Sequence, residues 1–392
     1  MAEQKKEMSK KEREEKYDKI FDEICKSNSY IPKNKLGSGG YGLVKEILFI
    51  DNKNSSKNKI YAGKLTERKE KSKYNENDII LEFKGPNILK VNSILPPFER
   101  DNVKYDFIVM EKARLKDLKT LQSFLHRKNI LKLIFKKPFE SIIGDNFIRY
   151  FLMNVLRGFE CLDRSDFTHF DIKPENILIC LDLIFKISDF GLLRSPKQIA
   201  INNNENQLRI PGGTQGYLTP EFYSEKYVSK DNIKKQDYFA LGATIFFLKY
   251  GNRMLDYKEN LDDEIRNADN ILELLEIAMD EIKTTKGCDK GFIEFLCNLI
   301  QYKPEDRPIF EEIYRNKWLH KNSEEISKII DNNYYEEEKL MLELNKSDFL
   351  LERKEYLDKI KNQNNNNNIN NNNNNNQRFK FKFNNEIIKK KE

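Results

Sequence analysis

Three polar side chains in the segment THFDIKPENILI have the types and the spacing that phosphoryl transfer requires. Asp171, Lys173 and Asn176 lie within six residues, and the apolar residues on both sides would fix the ends of the loop that carries them. A carboxylate can accept the proton of an attacking hydroxyl, an ammonium can stabilise a transferring phosphoryl group, and an amide oxygen can bind Mg²⁺. We therefore predict that all three are catalytic and that Asn176 is also a metal ligand.

A second candidate metal ligand, Asp189, stands in SDFG, eighteen residues after Asp171 and just past the apolar run LIFKI. An aspartate after a strand is commonly only a turn residue, so an isolated match would carry little weight. Asp189 gains weight because it occurs in order with the other motifs of the chain. We therefore predict that it binds the same magnesium ion as Asn176.

A glycine-rich segment, LGSGGYGLV, is the candidate phosphate-binding loop. Glycines without a Cβ let backbone amides approach phosphate groups closely. The residues that follow are rich in β-branched and aromatic types, which predicts a β-hairpin rather than the helix of a dinucleotide-binding fold. The loop residues expected to contact a nucleotide are Gly37, Ser38, Gly39, Gly40, Tyr41, Gly42 and Leu43.

A lysine on the next predicted strand could reach the same phosphates. Lys64 ends the strand segment YAGK, twenty-two residues after Gly42. Lysines are abundant in this chain, so an ordinary exposed lysine is the alternative. Glu76 on the following candidate helix favours the first interpretation, because an ion pair with Glu76 would hold the ammonium in place.

Taken together, GxGxxGxV, a strand lysine, a helix glutamate, HFDIKPEN and DFG resemble the protein kinase family over roughly residues 30–320. The resemblance implies an α+β, two-lobed fold. A small antiparallel β-rich N-lobe with helix C would occupy about 30–110, and a larger, mostly helical C-lobe about 114–320. ATP and Mg²⁺ are the implied cofactors.

The resemblance also implies how adenine would be bound. FIVMEKA is similar to the family's hinge strand, with Met110 as gatekeeper and the backbone of Glu111 and Ala113 bonded to the adenine edge. The apolar sandwich around the base would come from Leu36, Val44, Ala62 and Leu178.

Other segments of the C-lobe resemble supporting parts of the family pattern. GGTQGYLTPE implies Thr214 near Asp171, and Glu221 paired with Arg307 in the interior. Asp237 would brace the backbone of the catalytic loop, while His169 would be a packing residue beneath it.

The form DIKPEN, with Lys173, is similar to kinases that act on serine and threonine, so the implied partner is a protein substrate with such an acceptor. The alternative is a pseudokinase, a kinase fold used as a scaffold.

Two positions depart from the family pattern. Most regulated members carry an arginine before the catalytic aspartate, where it pairs with an activation-loop phosphate, but this chain has Phe170. Ser195 is the only hydroxyl side chain between Gly191 and Gly213. We therefore hypothesise that activity does not require activation-loop phosphorylation. Thr219 replaces the alanine of the family's APE and is expected to perturb little.

Composition limits the other possible partners. The 69 basic residues nearly balance the 63 acidic ones, which does not indicate binding to nucleic acid or membrane. No apolar run approaches the roughly 20 residues of a bilayer span. Five cysteines without a CxxC pair suit a reducing compartment. These features predict a soluble intracellular protein of the cytoplasm or nucleus.

The N-terminal residues 1–29 are dense in charge. Tyr17, Ile20, Phe21 and Ile24 recur at helical spacing, so an amphipathic helix could dock on the domain. The charge density favours the other interpretation, a solvated, partly helical leader.

Two C-terminal segments follow the predicted domain. In residues 321–361 charges alternate with Leu, Ile and Tyr, which predicts a helix or coiled coil and allows self-association through 322–360. Residues 362–392 form an Asn-rich tail with a basic end, predicted to be disordered.

Overall fold

The computed structural model describes most of the region between Ser9 and Lys321. The described residues are 9–39, 42–51, 58–68, 80, 85, 87–123, 144–180, 184–201, 204–255, 268–285 and 288–321. The predicted helix C with Glu76, the loop residues Gly40 and Tyr41, and both C-terminal segments lie outside these ranges. Self-association through 322–360 therefore stays a prediction.

The N-lobe is built on a five-stranded antiparallel sheet in the order β1-β2-β3-β5-β4. The sheet carries buried residues on both faces, since β3 has four and β5 six buried residues in a row. The strands are β1 (Tyr30–Gly39), β2 (Gly42–Phe49), β3 (Lys59–Glu67), β4 (Val91–Arg100) and β5 (Val103–Met110).

One face of this sheet is covered by helix α1, Lys10–Ser27. Ser9 and Glu12 form a capping box that begins the helix. Five apolar residues recur at positions i, i+3, i+4, i+7 and i+8, which places them on one face of the helix. All five are buried, and they belong to one core cluster with residues of β2, β3 and β5: Tyr17, Ile20, Phe21, Ile24 and Cys25.

The expectation of a solvated leader is therefore wrong for residues 10–27, and the docked helix is what the structure has. Charged residues flank this apolar face, and some of them pair with residues of the sheet, so they do not oppose packing. Cys25 completes the apolar stripe, and the sequence reasoning did not include it.

The C-lobe is mostly helical, which confirms the predicted α+β fold. Its elements are α2 (Asp145–Arg164), β6 (Ile177–Ile179), β7 (Phe185–Ile187), α3 (Pro196–Ile199), β8 (Ala200–Ile201), β9 (Asn204–Arg209), α4 (Pro220–Ser224), β10 (Tyr227–Val228), α5 (Lys235–Tyr250), α6 (Ala268–Thr284), α7 (Lys290–Leu299) and α8 (Phe310–Tyr314). β6 pairs with β7, and β8, β9 and β10 form a separate three-stranded sheet.

Helix α5 is the central helix of this lobe and is buried on nearly all sides. A Cβ on Gly242 would lie 2.6 Å from Ile300 and 3.0 Å from Leu299, so glycine permits α5 to pack closely against the end of α7. Asp237 lies in the first turn of the same helix. Among the described residues, no helix is both long and apolar enough to cross a bilayer.

Candidate active site

The structure brings the three predicted catalytic residues together around the Asp171 carboxylate. One oxygen, Oδ2, accepts hydrogen bonds from Lys173 Nζ at 2.7 Å and from Asn176 Nδ2 at 2.9 Å. The other, Oδ1, accepts one from Thr214 Oγ1 at 2.6 Å. Lys173 Nζ also bonds to Thr214 Oγ1 at 2.6 Å. The carboxylate is therefore held in one orientation by groups from two segments of the chain.

The backbone of the catalytic loop is fixed from below by α5. Asp237 accepts the N–H of His169 at 2.7 Å and the N–H of Phe170 at 2.8 Å. Burial raises the pKa of Asp237 to about 7, although these two hydrogen bonds lower it. Phe170 has φ +64°, a left-handed conformation that costs a non-glycine residue roughly 1–2 kcal/mol. The bonds to Asp237 offset that cost and turn the chain toward Asp171, which is the bracing role predicted for Asp237.

His169 packs beneath the loop, as predicted. Its Nε2 lies 3.1 Å from the carbonyl oxygen of Ser188, and Asp171 N donates to its Nδ1 at 3.2 Å. Burial lowers the pKa of His169, so the ring is neutral at physiological pH. The two contacts require the Nε2–H tautomer. The ring also meets the edge of Phe190 at a centroid distance of 5.4 Å, which connects the catalytic loop to the DFG segment.

Lys64 and Asp189 meet across the cleft between the lobes, with 2.7 Å between Nζ and Oδ1. Burial by itself would raise the pKa of Asp189, but the charge and hydrogen bond of Lys64 outweigh it and lower that pKa. The expected partner of Lys64, Glu76, lies outside the described residues. The Lys64 ammonium and the Asp189 carboxylate are thus close enough to act on the same bound phosphate group.

The predicted metal ligands lie side by side. The carbonyl oxygen of Asn176 accepts both the N–H and the hydroxyl of Ser188 at 2.9 Å, which places Asn176 next to Asp189. Carboxylate and amide oxygens are hard donors that suit Mg²⁺. The described residues contain no group of three acidic, His or Cys side chains that would enclose a metal. Two protein ligands agree with the preference of Mg²⁺ for water and phosphate oxygens in its remaining positions.

The glycine-rich segment forms the predicted hairpin between β1 and β2. Gly37 pairs with Val44, Ser38 with Leu43, and Gly39 with Gly42. Gly42 has φ +132°, and a Cβ there would lie 2.0 Å from the carbonyl oxygen of Leu65. A side chain at this position would therefore collide with β3.

Leu43 does not fit its predicted role. Successive side chains of a strand point to opposite faces, and Leu43 is buried in the cluster beneath α1, whereas Val44 packs on the cleft side. Only the backbone of Leu43 could face a nucleotide.

An apolar cluster on the cleft face contains most of the residues predicted to sandwich adenine. Ala62, Met110, Val44, Ala113 and Leu178 belong to it. Leu36 is 42% exposed, and it is not among its members. Four further members were missed because they are ordinary strand or loop residues in the sequence: Leu89, Val91, Ile108 and Cys180.

The hinge after β5 is held by ion pairs on both sides. Glu111 Oε1 accepts hydrogen bonds from Lys186 Nζ at 2.6 Å and from Lys90 N at 2.7 Å, and Lys112 pairs with Glu46. Within the described part of the chain, no hydrogen bond is found for the carbonyl oxygen of Glu111 or the N–H of Ala113. They belong to the two residues whose backbone the resemblance assigned to the adenine edge.

The predicted Glu221–Arg307 pair is present and buried. Arg307 Nη1 and Nη2 bond to the two carboxylate oxygens at 2.6 Å and 2.7 Å. Gln236 bonds to both Glu221 and Thr219. The threonine that replaces the family's alanine therefore adds a hydrogen bond to this network, which the sequence reasoning did not anticipate.

Phe170 packs against the activation segment in a group of residues that we name the Phe170 cluster: Phe170, Leu208, Ile210, Val228 and Ile233. Leu192, Ile199, Ala200 and Phe222 pack against this cluster.

Comparisons with known proteins agree with this geometry. The family model described as "Protein kinase domain" matches residues 30–319. Aurora kinase of Saccharomyces cerevisiae is 27% identical over 296 residues, which cover 74% of this chain and 68% of that protein.

Two further relatives are longer than the matched region. 3-phosphoinositide-dependent protein kinase B of Dictyostelium discoideum is 26% identical over 306 residues, or 74% of this chain and 30% of that protein. Serine/threonine-protein kinase cds1 of Schizosaccharomyces pombe is 31% identical over 221 residues, or 54% of this chain and 43% of that protein. The chain thus spans less than half the length of these two relatives. Because the family model covers most of its 392 residues, the chain belongs to the protein kinase family.

Proposed function

We propose that this protein transfers the γ-phosphate of Mg-ATP to serine or threonine hydroxyls of other proteins. The observation that carries the proposal is the Asp171 carboxylate, held by Thr214, Lys173 and Asn176 at hydrogen-bonding distance. A carboxylate in this position can orient the acceptor hydroxyl and take its proton.

The other residues have roles that follow from their charge and position. Lys173 would stabilise negative charge on the transferring phosphoryl group, and Lys64 would bind the nucleotide phosphates as a point charge. Asn176 and Asp189 would hold Mg²⁺. Bound Mg²⁺ neutralises charge on the phosphates during transfer. Serine or threonine specificity is supported by Lys173 in DIKPEN and by the similarity to the serine/threonine-protein kinase cds1 of fission yeast.

The direct test is transfer of labelled γ-phosphate to casein or myelin basic protein, comparing wild type with Asp171→Asn. Asparagine keeps the size of the side chain but cannot accept the proton, so we expect transfer to fall about a hundredfold or more. Thermal unfolding of both proteins controls for folding. The labelled residue in the product identifies the hydroxyl class.

Equal background signals from both proteins would contradict the proposal. A thermal shift with Mg-ATP would then show whether the nucleotide site binds, which is what a pseudokinase scaffold with an intact site would do.

We also propose that the activation segment is ordered without a phosphate, by the Phe170 cluster. Phe170 and Ile210 are 7% and 4% exposed, and the cluster they share joins the catalytic loop to the activation segment. Backbone bonds support it, because Ile210 N donates to Lys226 O, while Thr168 and Arg194 exchange two hydrogen bonds at 2.9 and 3.0 Å. Apolar burial would thus do what a phosphate and an arginine do in most regulated kinases.

Phosphate analysis of the active enzyme tests this second proposal. We expect no stoichiometric phosphate between Gly191 and Thr219, and no loss of turnover after phosphatase treatment. Phe170→Arg should lower the free energy of unfolding by roughly 2–3 kcal/mol, because it buries an unpaired cation among apolar side chains. Phe170→Leu is the matched control and should keep most of the activity. Turnover that needs a phosphate in this segment would overturn the idea.

A further inference from the structure

A cavity of about 630 Å³ lies beside the activation segment, away from the nucleotide cleft. Its walls come from three stretches of chain: the end of α3 with the start of β8, the end of β9 with the two residues after it, and the region between Phe222 and Tyr227. No residue of the Asp171 site or of the apolar cluster on the cleft face lines this cavity. The proposed transfer reaction therefore leaves this cavity without a role.

The floor of the cavity is apolar. Ile199, Ile210 and Phe222 line it, and these side chains also form or contact the Phe170 cluster. Ile210 is nearly fully buried, while Ile199 and Phe222 keep part of their surface exposed. An apolar side chain entering the cavity would remove that remaining surface from water, which is favourable.

The rim of the cavity is cationic. Arg209 and Lys226 both line it and both are exposed. Arg209 ends β9 and Lys226 immediately precedes β10, and Arg209 pairs with Tyr227 in the register of these two strands. The ammonium of Lys226 lies 5.8 Å from the centre of the Phe222 ring. Among the described residues, no acidic side chain lines the cavity and neither cation forms an ion pair.

The cavity is within reach of a peptide bound at Asp171. Pro211 lines it and precedes Thr214, whose hydroxyl lies 2.6 Å from the Asp171 carboxylate, by three residues. Three Cα–Cα steps span at most about 11 Å. A peptide in an extended conformation covers this distance with roughly three to five residues.

We propose that this cavity binds a segment of the protein substrate that combines acidic residues with one apolar side chain, three to five residues from the phosphorylated hydroxyl. The carboxylates would pair with Arg209 and Lys226 while the apolar side chain fills the floor. This inference rests on the proposed kinase function, and it adds the class of substrate that the enzyme prefers.

The test uses peptides with a single serine that differ in one triplet. Glu-Leu-Glu or Gln-Ala-Gln is placed three to five residues from the serine, in separate series on its N-terminal and C-terminal sides. The pocket variant is Arg209→Glu/Lys226→Glu. The matched control is Lys197→Glu/Lys290→Glu, which changes net charge equally at two exposed lysines that do not line the cavity.

In one of the two series we expect wild type to show a kcat/KM about fivefold higher for the Glu-Leu-Glu peptide, because exposed ion pairs have modest strength. The control should keep that ratio, and the pocket variant should bring it to one or reverse it. A wild-type ratio near one in both series, or an equal ratio in wild type and pocket variant, would overturn the inference.

Fluorescence anisotropy of the labelled Glu-Leu-Glu peptide separates this inference from the proposed function, because it requires no turnover. Full-length Asp171→Asn protein should bind the peptide about fivefold more tightly than the same protein carrying the pocket substitutions. If no peptide is phosphorylated but this difference persists, the kinase function fails and the docking site stands. Equal binding would overturn the docking site whatever the activity.

Discussion

Phe21→Ala is expected to lower the free energy of unfolding by about 3–5 kcal/mol, the usual cost of removing a buried phenylalanine from a core. The Phe21 side chain is fully buried, and its ring meets Phe107 of β5 at a centroid distance of 4.9 Å. It also lies 3.1 Å from where a Cβ on Gly63 would stand. Gly63 precedes Lys64, so a loosened α1 should also lower phosphate transfer.

Electrostatic contacts fix the same helix to the sheet. Lys45 of β2 pairs with Asp18 at 2.8 Å and with Asp22 at 3.3 Å, both on α1. Burial by itself would lower the pKa of Lys45, but the two carboxylates outweigh it and raise that pKa. The docked helix is therefore held by charge at its edge and by apolar contact at its centre.

Denaturant unfolding and the transfer assay measure the effect of Phe21→Ala. Lys19→Ala is the matched control, because Lys19 is exposed on the same helix and its loss should change stability by less than about 0.5 kcal/mol. Equal stabilities of the two variants would mean that α1 does not pack on the sheet in solution.

Arg307→Ala should destabilise the C-lobe by a similar amount, about 3–5 kcal/mol, because it leaves the Glu221 carboxylate buried without its partner. The guanidinium is buried, bonds to both oxygens of Glu221, and donates to the carbonyl oxygens of Gln301 and Tyr302 at 2.8 and 2.9 Å. One substitution would therefore remove these four hydrogen bonds and a longer one, at 3.5 Å, to the carbonyl oxygen of Lys235.

Arg307→Lys is expected to recover only part of this loss, since an ammonium cannot reproduce the planar fork of donors. The double variant Glu221→Gln/Arg307→Met should be more stable than the sum of its single changes predicts, because no charge is left unpaired. Urea unfolding of wild type, Glu221→Gln, Arg307→Met and the double variant gives the coupling energy. Additive losses would show that the pair does not act as a unit.

The sequence predicted the chemistry of this protein better than its packing. Asp171, Lys173 and Asn176 fall within one short loop, so their spacing along the chain already limits their arrangement in space. The β1–β2 hairpin was similarly predictable, because glycines and β-branched residues have strong local preferences.

Contacts between distant segments were harder to predict. Docking of α1 depends on a sheet face whose first residue in the shared cluster, Leu43, lies 16 residues beyond the end of the helix at Ser27. The side on which Leu43 lies depends on strand register, which no local signal fixed. Cys180 belongs to the apolar cluster on the cleft face only because β6 and β7 bring that part of the chain beneath the sheet.

The burial of Phe170 and Ile210 in one apolar cluster also has an evolutionary consequence. Return to a phosphate-controlled segment would need a cation at position 170 and a phosphorylatable residue facing it. A cation gained first would be buried without a counter-charge, and a hydroxyl gained first at position 210 would enter an apolar core without a partner. Both orders pass through a less stable intermediate, so single substitutions tend to be removed by selection before the second can arise.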